Sequence, residues 1–299
     1  MYLQNTFFQR IRAFMIFAFV PLFAFTTVLL IPFIVGVLLT FTNWNGITPI
    51  DSFDYSWIGF QNFDRGLSDP DFVGVLWLTT RYVLLVITFT NIIAFSLALL
   101  VTSKLPLRNF FRAAFFVPNL IGGVILGFIW QFIFATFVPH IGDLTGIEAL
   151  RYSWLAETDK AFAALVIVSV WQLSGYMMLI YIAGLVGIPT ELREAASLDG
   201  ADKLRELRYI TLPLMIPAFT ISVFLTLRSS FMVFDINLAL TDGGPFRSSE
   251  MMTLHIFNEA FVAQHFGTGQ AKAIMLFVIV AVVGLVQVLI SNRVERKIS

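Results

Sequence analysis

Six long apolar runs constrain this chain more than anything else in it. They lie at 14–41, 80–103, 110–136, 161–187, 212–234 and 271–292. Each reaches or exceeds the roughly 20 apolar residues that a helix needs to cross a bilayer. Arg81, Arg112, Arg228 and Lys272 are the charges that interrupt or border them. Backbone polar groups in hydrocarbon must be satisfied within the segment, so the runs predict helices. Barrel strands would alternate over about ten residues, and no such alternation is present. The expected fold is therefore an all-α membrane protein with six transmembrane helices. Charged residues make up 13% of the chain, about half of what a soluble domain carries. The formal net charge is zero, which argues against a nucleic-acid partner. There is no cysteine, and His140, His255 and His265 are scattered without ligand spacing, so no metal site is expected. The uncharged run from Ala13 to Ile50 is far longer than the roughly 7–15 residues of a signal-peptide core. It reads as a retained span.

Basic residues orient the bundle. With the N-terminus in the cytoplasm, Arg10, Arg12, Lys104, Arg108, Arg112, Arg293, Arg296, Lys297 and the basic residues of 190–209 fall inside, and fewer fall outside. The positive-inside rule thus assigns both termini to the cytoplasm. Outer connections are expected at about 42–79, 137–160 and 235–270, punctuated by turns such as Asn43-Trp44-Asn45-Gly46 and Asp242-Gly243-Gly244-Pro245. The chain reads as a single transmembrane domain, 1–299, with a cytoplasmic loop at 188–213.

That loop is a polar island between apolar runs. It holds Arg193, Lys203, Arg205 and Arg208 with Glu191, Glu194, Asp199, Asp202 and Glu206. Thr190 is placed to cap a helix whose first turn carries Glu191 and Glu194. Ala195 and Ala196 favour helix without adding bulk, and Gly200 suits the left-handed position that ends one. A second short helix fits Ala201–Arg208, with Pro213 near the next helix start. Two readings stand on these residues alone: a solvated interfacial helix, or a docking surface for a soluble partner.

A family resemblance favours the second. Glu194-Ala195-Ala196, Asp199-Gly200-Ala201 and Ile210-Thr211-Leu212-Pro213 together resemble the EAA loop of binding-protein-dependent ABC importer permeases. The likeness extends along the chain. Arg112 with Pro118 and Trp130, then Trp171, Gly175 and Ile188-Pro189, follow in the family's order. Leu240-Thr241-Asp242-Gly243-Gly244-Pro245 is similar to its Thr-Gly-Gly-Gly-Pro turn, with Asp242 in place of one glycine. Phe261, Phe266-Gly267 and Ala271-Lys272-Ala273 resemble the entry to its last helix. The pattern is that of type I permeases for carbohydrate uptake, of the maltose-permease kind, without a large outer insertion.

The resemblance implies a short helix seated in a cleft of a cytoplasmic ATPase, with Glu191, Glu194, Ala195, Ala196, Asp199 and Gly200 as coupling residues. It also implies a companion permease, two ATPase subunits, an extracytoplasmic solute-binding protein, and a place in a bacterial or archaeal inner membrane. The chain has no G-x-x-x-x-G-K-[ST] stretch to cradle phosphates and no acid/His relay within its spans. ATP and magnesium would therefore sit on the partner, with no cofactor in this chain and no enzyme activity of its own.

Polar residues inside spans mark the expected pathway. They are Ser169, Gln172 and Tyr176 on the fourth run, and Thr226, Ser229 and Ser230 on the fifth. By resemblance these positions, with Leu173 and Val233, match those where a maltose-type permease contacts its sugar. Hydrogen bonding between helices is the alternative role for the Ser and Thr residues. Arg228 and Asp235 are seven apart, close to one face of a continuous helix. They are expected either to pair with one another or to offer Arg228 to an anion. A sugar or oligosaccharide is the expected solute; glycerol-3-phosphate or a phosphodiester is the alternative within the family. A secondary carrier would need paired ionisable residues at mid-membrane, where the sequence offers only Arg228.

Overall fold

The computed structural model describes residues 7–46, 56–103 and 108–296. Lys104, Lys297 and the 47–55 part of the first outer connection lie outside them. Among the described residues the chain is helical, and its one β-bridge pairs Thr42 with Trp57. Five helices are long and apolar enough to cross a membrane, or six when one bent pair is taken as a single span.

In chain order the main helices are α1 (Met15–Leu39), α2 (Gln61–Ser68), α3 (Pro70–Thr102), α4 (Arg108–Leu120), α5 (Gly123–Thr145) and α6 (Thr158–Val186). There follow α7 (Thr190–Leu198), α8 (Lys203–Leu214), α9 (Ile216–Phe231), α10 (Asp235–Leu240), α11 (Met252–Phe257) and α12 (Phe266–Glu295).

Two of the apolar runs are not single helices. The run at 110–136 breaks at Ile121–Gly122, where Gly122 is extended at φ −58°, ψ 141°. Pro118 lies within α4 and supplies no N–H, which weakens the turn before the break. The membrane-length helix begins only at Gly123 and runs on to Thr145. The run at 212–234 is entered through α8 and bends by 66° before α9. Pro217, in the first turn of α9, cannot donate the hydrogen bond that would continue α8 through it. At the other extreme, α3 starts ten residues before its apolar run.

The chain forms two compact units: the described residues of Met1–Asp69 with Ile256–Met275, and those of Pro70–His255 with Leu276–Ser299. In the first, Asn62 Nδ2 donates to Thr40 O and Thr42 O at 2.7 and 2.9 Å, and Trp44 stacks obliquely on Phe266. Lys272 is fully buried. Its Nζ donates to Asp69 Oδ2 at 2.6 Å and to Glu259 Oε2 at 3.0 Å. His265 Nδ1 lies 2.8 Å from the other Glu259 oxygen. Burial would raise the Glu259 carboxyl, but the hydrogen bonds and charges of Lys272 and His265 outweigh it and hold the group below its ordinary value.

The second unit has its core where α3, α6 and α9 meet. Ala94, Ala98, Met177, Met178, Leu185, Ile188, Met215 and Ala218 are buried together. Phe95, Tyr181 and Phe219 form a ring cluster with centroids 5.0–5.5 Å apart. Asn91 ties the three helices: its Oδ1 accepts from Tyr181 and from Ser222, each at 2.6 Å, and its Nδ2 donates to Ile87 O. An amide bonded at both its oxygen and its nitrogen fixes helix register in an otherwise apolar core. Beyond α10, the Asn237 side chain holds the following turn through Thr241, Ser249 O and Met251 N. Arg247 bonds buried Glu250 at 2.5 Å and also pairs with Asp71. The Glu250 bond raises the Arg247 guanidinium above its already high ordinary value, against the smaller opposing effect of burial.

Candidate functional site

A cavity of about 290 Å³ lies in the second unit, between the two interruptions that divide the helices around it. One wall is formed at the α4–α5 break, with Asn119 and Gly123; another is the turn between α9 and α10, with Met232, Val233 and Phe234, continued by Asp235 and Ile236 at the start of α10. Tyr82 of α3, Ser169, Gln172 and Leu173 of α6, and Ser229 of α9 complete it. Close approach of α5 and α10 sets its width. A Cβ on Gly123 would stand 2.7 Å from Asp235 Cβ, and one on Gly127 would stand 2.6 Å from Ala239 Cβ. Only glycine at these two positions, one turn apart, lets α10 lie this near.

The cavity's chemistry follows from these side chains. Tyr82 and Ser169 are both buried, and the Tyr82 hydroxyl donates to Ser169 Oγ at 2.6 Å. Among the described residues, Asn119, Gln172 and Ser229 make no side-chain hydrogen bond with protein, which leaves their donors and acceptors open to a solute. Asp235 is the one carboxylate among the lining residues, and none of them is a cation. Leu173, Met232 and Phe234 supply apolar surface. Amides and hydroxyls beside apolar faces suit a neutral polyhydroxyl compound.

Ser169, Gln172 and Ser229 are thus brought together, with Leu173, Val233 and Asp235. Three expected positions stand elsewhere. Thr226 and Ser230 are buried, and each hydroxyl bonds the carbonyl four residues back, Ser222 O at 2.8 Å and Thr226 O at 2.7 Å. Tyr176 is 42% exposed and does not line the cavity. Arg228 also lies outside it, is exposed, and forms no ion pair with Asp235. The expected pairing assumed one continuous helix, whereas α9 stops at Phe231 and Asp235 begins α10. Tyr82 and Asn119 were not among the expected positions. Their signal was a polar residue next to Arg81 and another next to Pro118, at the edge of otherwise apolar sequence.

The polar island is a helical hairpin. Pro189 occupies the cap position with extended backbone, which places Thr190 in the first turn, so its side chain makes no cap. Gly200 ends α7 at φ +75°. Ala201 N–H bonds Ala196 O at 2.9 Å and Gly200 N–H bonds Ser197 O at 3.2 Å, the paired closure of a Schellman motif. Asp202 then caps the next helix through Arg205 N at 2.8 Å. Glu191, Glu194, Ala195, Asp199 and Gly200 are exposed and Ala196 is half-buried. Leu198, Leu204 and Tyr209 project from the same hairpin, each more than two-thirds exposed. Arg193 anchors it, donating to Leu185 O at 3.2 Å and approaching Glu206 at 3.6 Å.

Comparisons with known proteins agree with this architecture. The family model for the binding-protein-dependent transport system inner membrane component matches residues 91–296. The chain is 46% identical over 269 residues to a probable starch degradation products transport system permease of Thermoanaerobacterium thermosulfurigenes, covering 90% of each. It is 31% identical over 290 residues to a diacetylchitobiose uptake system permease of Streptomyces coelicolor, covering 90% of this chain and 79% of that one. Its fold is similar to that of a chain in a bacterial ABC transporter involved in the import of the acidic polysaccharide alginate, with a TM-score of 0.78 at 21% identity over 99% of this chain and 100% of that one. The matched region contains α6, α9, α10 and the whole α7–α8 hairpin, and the chain belongs to the family of binding-protein-dependent transport system inner membrane components.

Proposed function

We propose that the chain is a permease subunit of an ABC importer for a neutral sugar or oligosaccharide. The observation that carries this reading is the cavity: open amides and hydroxyls with apolar surface and no cation. Sugars offer many hydroxyls and apolar ring faces, and such a lining meets both. The sugar-transport roles in the relatives' names point the same way. A phosphorylated solute fits less well, because its anion would face Asp235 without a compensating charge.

In this reading both termini and the hairpin at 188–213 face the cytoplasm of a bacterial or archaeal cell. A companion permease supplies the other half of the pathway. Two ATPase subunits bind ATP and magnesium, and one of them receives α7 and its cap through Glu191, Glu194, Ala195, Ala196, Asp199 and Gly200. A solute-binding protein delivers the sugar from outside, and this chain moves solute rather than transforming it.

The test is uptake of labelled oligosaccharide into vesicles holding the assembled importer and its binding protein, with glycerol-3-phosphate as the comparison solute. Gln172→Ala removes one open amide and should lower oligosaccharide uptake by roughly tenfold, the equivalent of one solute hydrogen bond left unmade in a dry site. Uptake confined to the phosphate ester, or unchanged by Gln172→Ala and Ser229→Ala together, would overturn the assignment.

A further inference from the structure

We infer that the groove between α3 and α6 holds one phospholipid, with its phosphate on Arg81 and an acyl chain laid along the groove. The groove has a volume of about 510 Å³. Leu85 and Phe89 of α3 form one side, and Phe162 and Ile167 of α6 the other. Its single hydroxyl, Ser174 Oγ, is already spent on Val170 O at 2.5 Å, so the lining offers a ligand nothing polar. From Phe162 to Ser174 the groove follows α6 for about 18 Å, slightly more than half of a roughly 30 Å hydrocarbon core. That is the depth of one leaflet.

The two ends of the groove differ. At Ser174 it is blind, because α4 crosses α6 against Gly175; a Cβ there would stand 1.8 Å from Phe115 O. At the other end is Arg81, one helical turn before Leu85 on the same side of α3. Its guanidinium carbon lies 5.7 Å from the centroid of the Phe162 ring. Arg81 is exposed and has no carboxylate partner among the described residues. From Arg81 to Thr102, α3 extends about 32 Å, so the arginine sits where hydrocarbon begins and headgroups are within reach.

A cation at the mouth of a blind apolar groove one leaflet deep matches an anionic head joined to a single chain. A lone arginine at this depth is costly unless an anion meets it. A crossing helix from another subunit is a poorer occupant: the groove stops at mid-membrane, and an apolar helix would leave Arg81 uncompensated. The site does not depend on which solute is carried.

The test uses the assembled transporter in bilayers of phosphatidylethanolamine and phosphatidylglycerol in equal parts. A photo-crosslinking amino acid replaces Ile167, and phospholipid that survives extensive delipidation is counted by mass spectrometry. The expected results are a crosslink from position 167 to a phospholipid acyl chain, and retention lowered about tenfold by Arg81→Gln but preserved in part by Arg81→Lys. Ile167→Trp, which fills the groove from an exposed position, should abolish retention. Equal retention in wild type and Arg81→Gln, a retained molecule without phosphate, or a crosslink to the companion subunit would overturn the site.

Discussion

Replacing Gly200 tests whether the α7–α8 hairpin transmits force as a rigid body. Gly200 sits at φ +75°, and nothing lies within 4 Å of where its Cβ would stand. A substitution there acts through the backbone alone. For alanine the left-handed region costs about 1–2 kcal/mol, a factor of about 5–30 between the closed hairpin and one in which α7 frays. Fraying releases the Ala201–Ala196 and Gly200–Ser197 bonds. No residue of α7 is buried within the chain, so the amount of permease folded in the membrane should not change. The assay measures ATP hydrolysis and binding-protein-dependent uptake in the same vesicles. Gly200→Ala should lower the solute moved per ATP severalfold. Gly200→Asn should lower it less, because asparagine visits the left-handed region more readily than alanine. An unchanged ratio in the alanine variant, or equal losses for alanine and asparagine, would refute the argument.

Two further predictions concern the charged cluster of the first unit. Lys272→Met removes a buried cation from between Asp69 and Glu259 and should cost about 3–5 kcal/mol, because two partly buried carboxylates are left facing each other; thermal unfolding of the purified complex in detergent measures it. The cluster should also loosen in acid. The Glu259 carboxyl is held below its ordinary value, so its stabilisation is complete above the ordinary glutamate range of about 4–4.5 and is lost as pH falls through the depressed value. Protection of 256–275 from hydrogen exchange, taken relative to the intrinsic rate at each pH, should fall over that acid interval in wild type and change little in Glu259→Gln.

How much of this molecule could be read from its sequence depends on what each inference required. Long uncharged runs convert directly into helices, because hydrocarbon permits little else. The end of α7 was legible for a local reason, since Gly200 suits the left-handed backbone state. The caps were not: Pro189 and Asp202 hold those positions rather than Thr190. The breaks were not legible either. Pro118 and Pro217 sit in apolar sequence that reads as continuous, and whether a proline kinks or ends a helix depends on what its neighbours supply. The expected Arg228–Asp235 pairing fails for a related reason, the end of α9. Arg228 and Asp235 share a face only on a helix that does not stop at Phe231.

The serine and threonine residues show how the breaks sort polar groups. Thr226 and Ser230 are buried, and each bonds its own helix four residues back. Deep in a bundle an unmet hydroxyl is too costly, so the nearest carbonyl claims it. Ser229, between them in sequence but turned to a different face, lines the gap left where α9 ends and keeps its hydroxyl open. Asn119 does the same beside the α4–α5 break. Polarity within a span therefore locates a pathway only where a helix is interrupted nearby, because the interruption opens space that protein carbonyls do not fill. Filling that space should discriminate. Ser229→Leu should block uptake, whereas Ser230→Ala removes only a bond within α9 and should leave uptake nearly intact. Equal loss in both would mean that the gap between the two breaks is not the route.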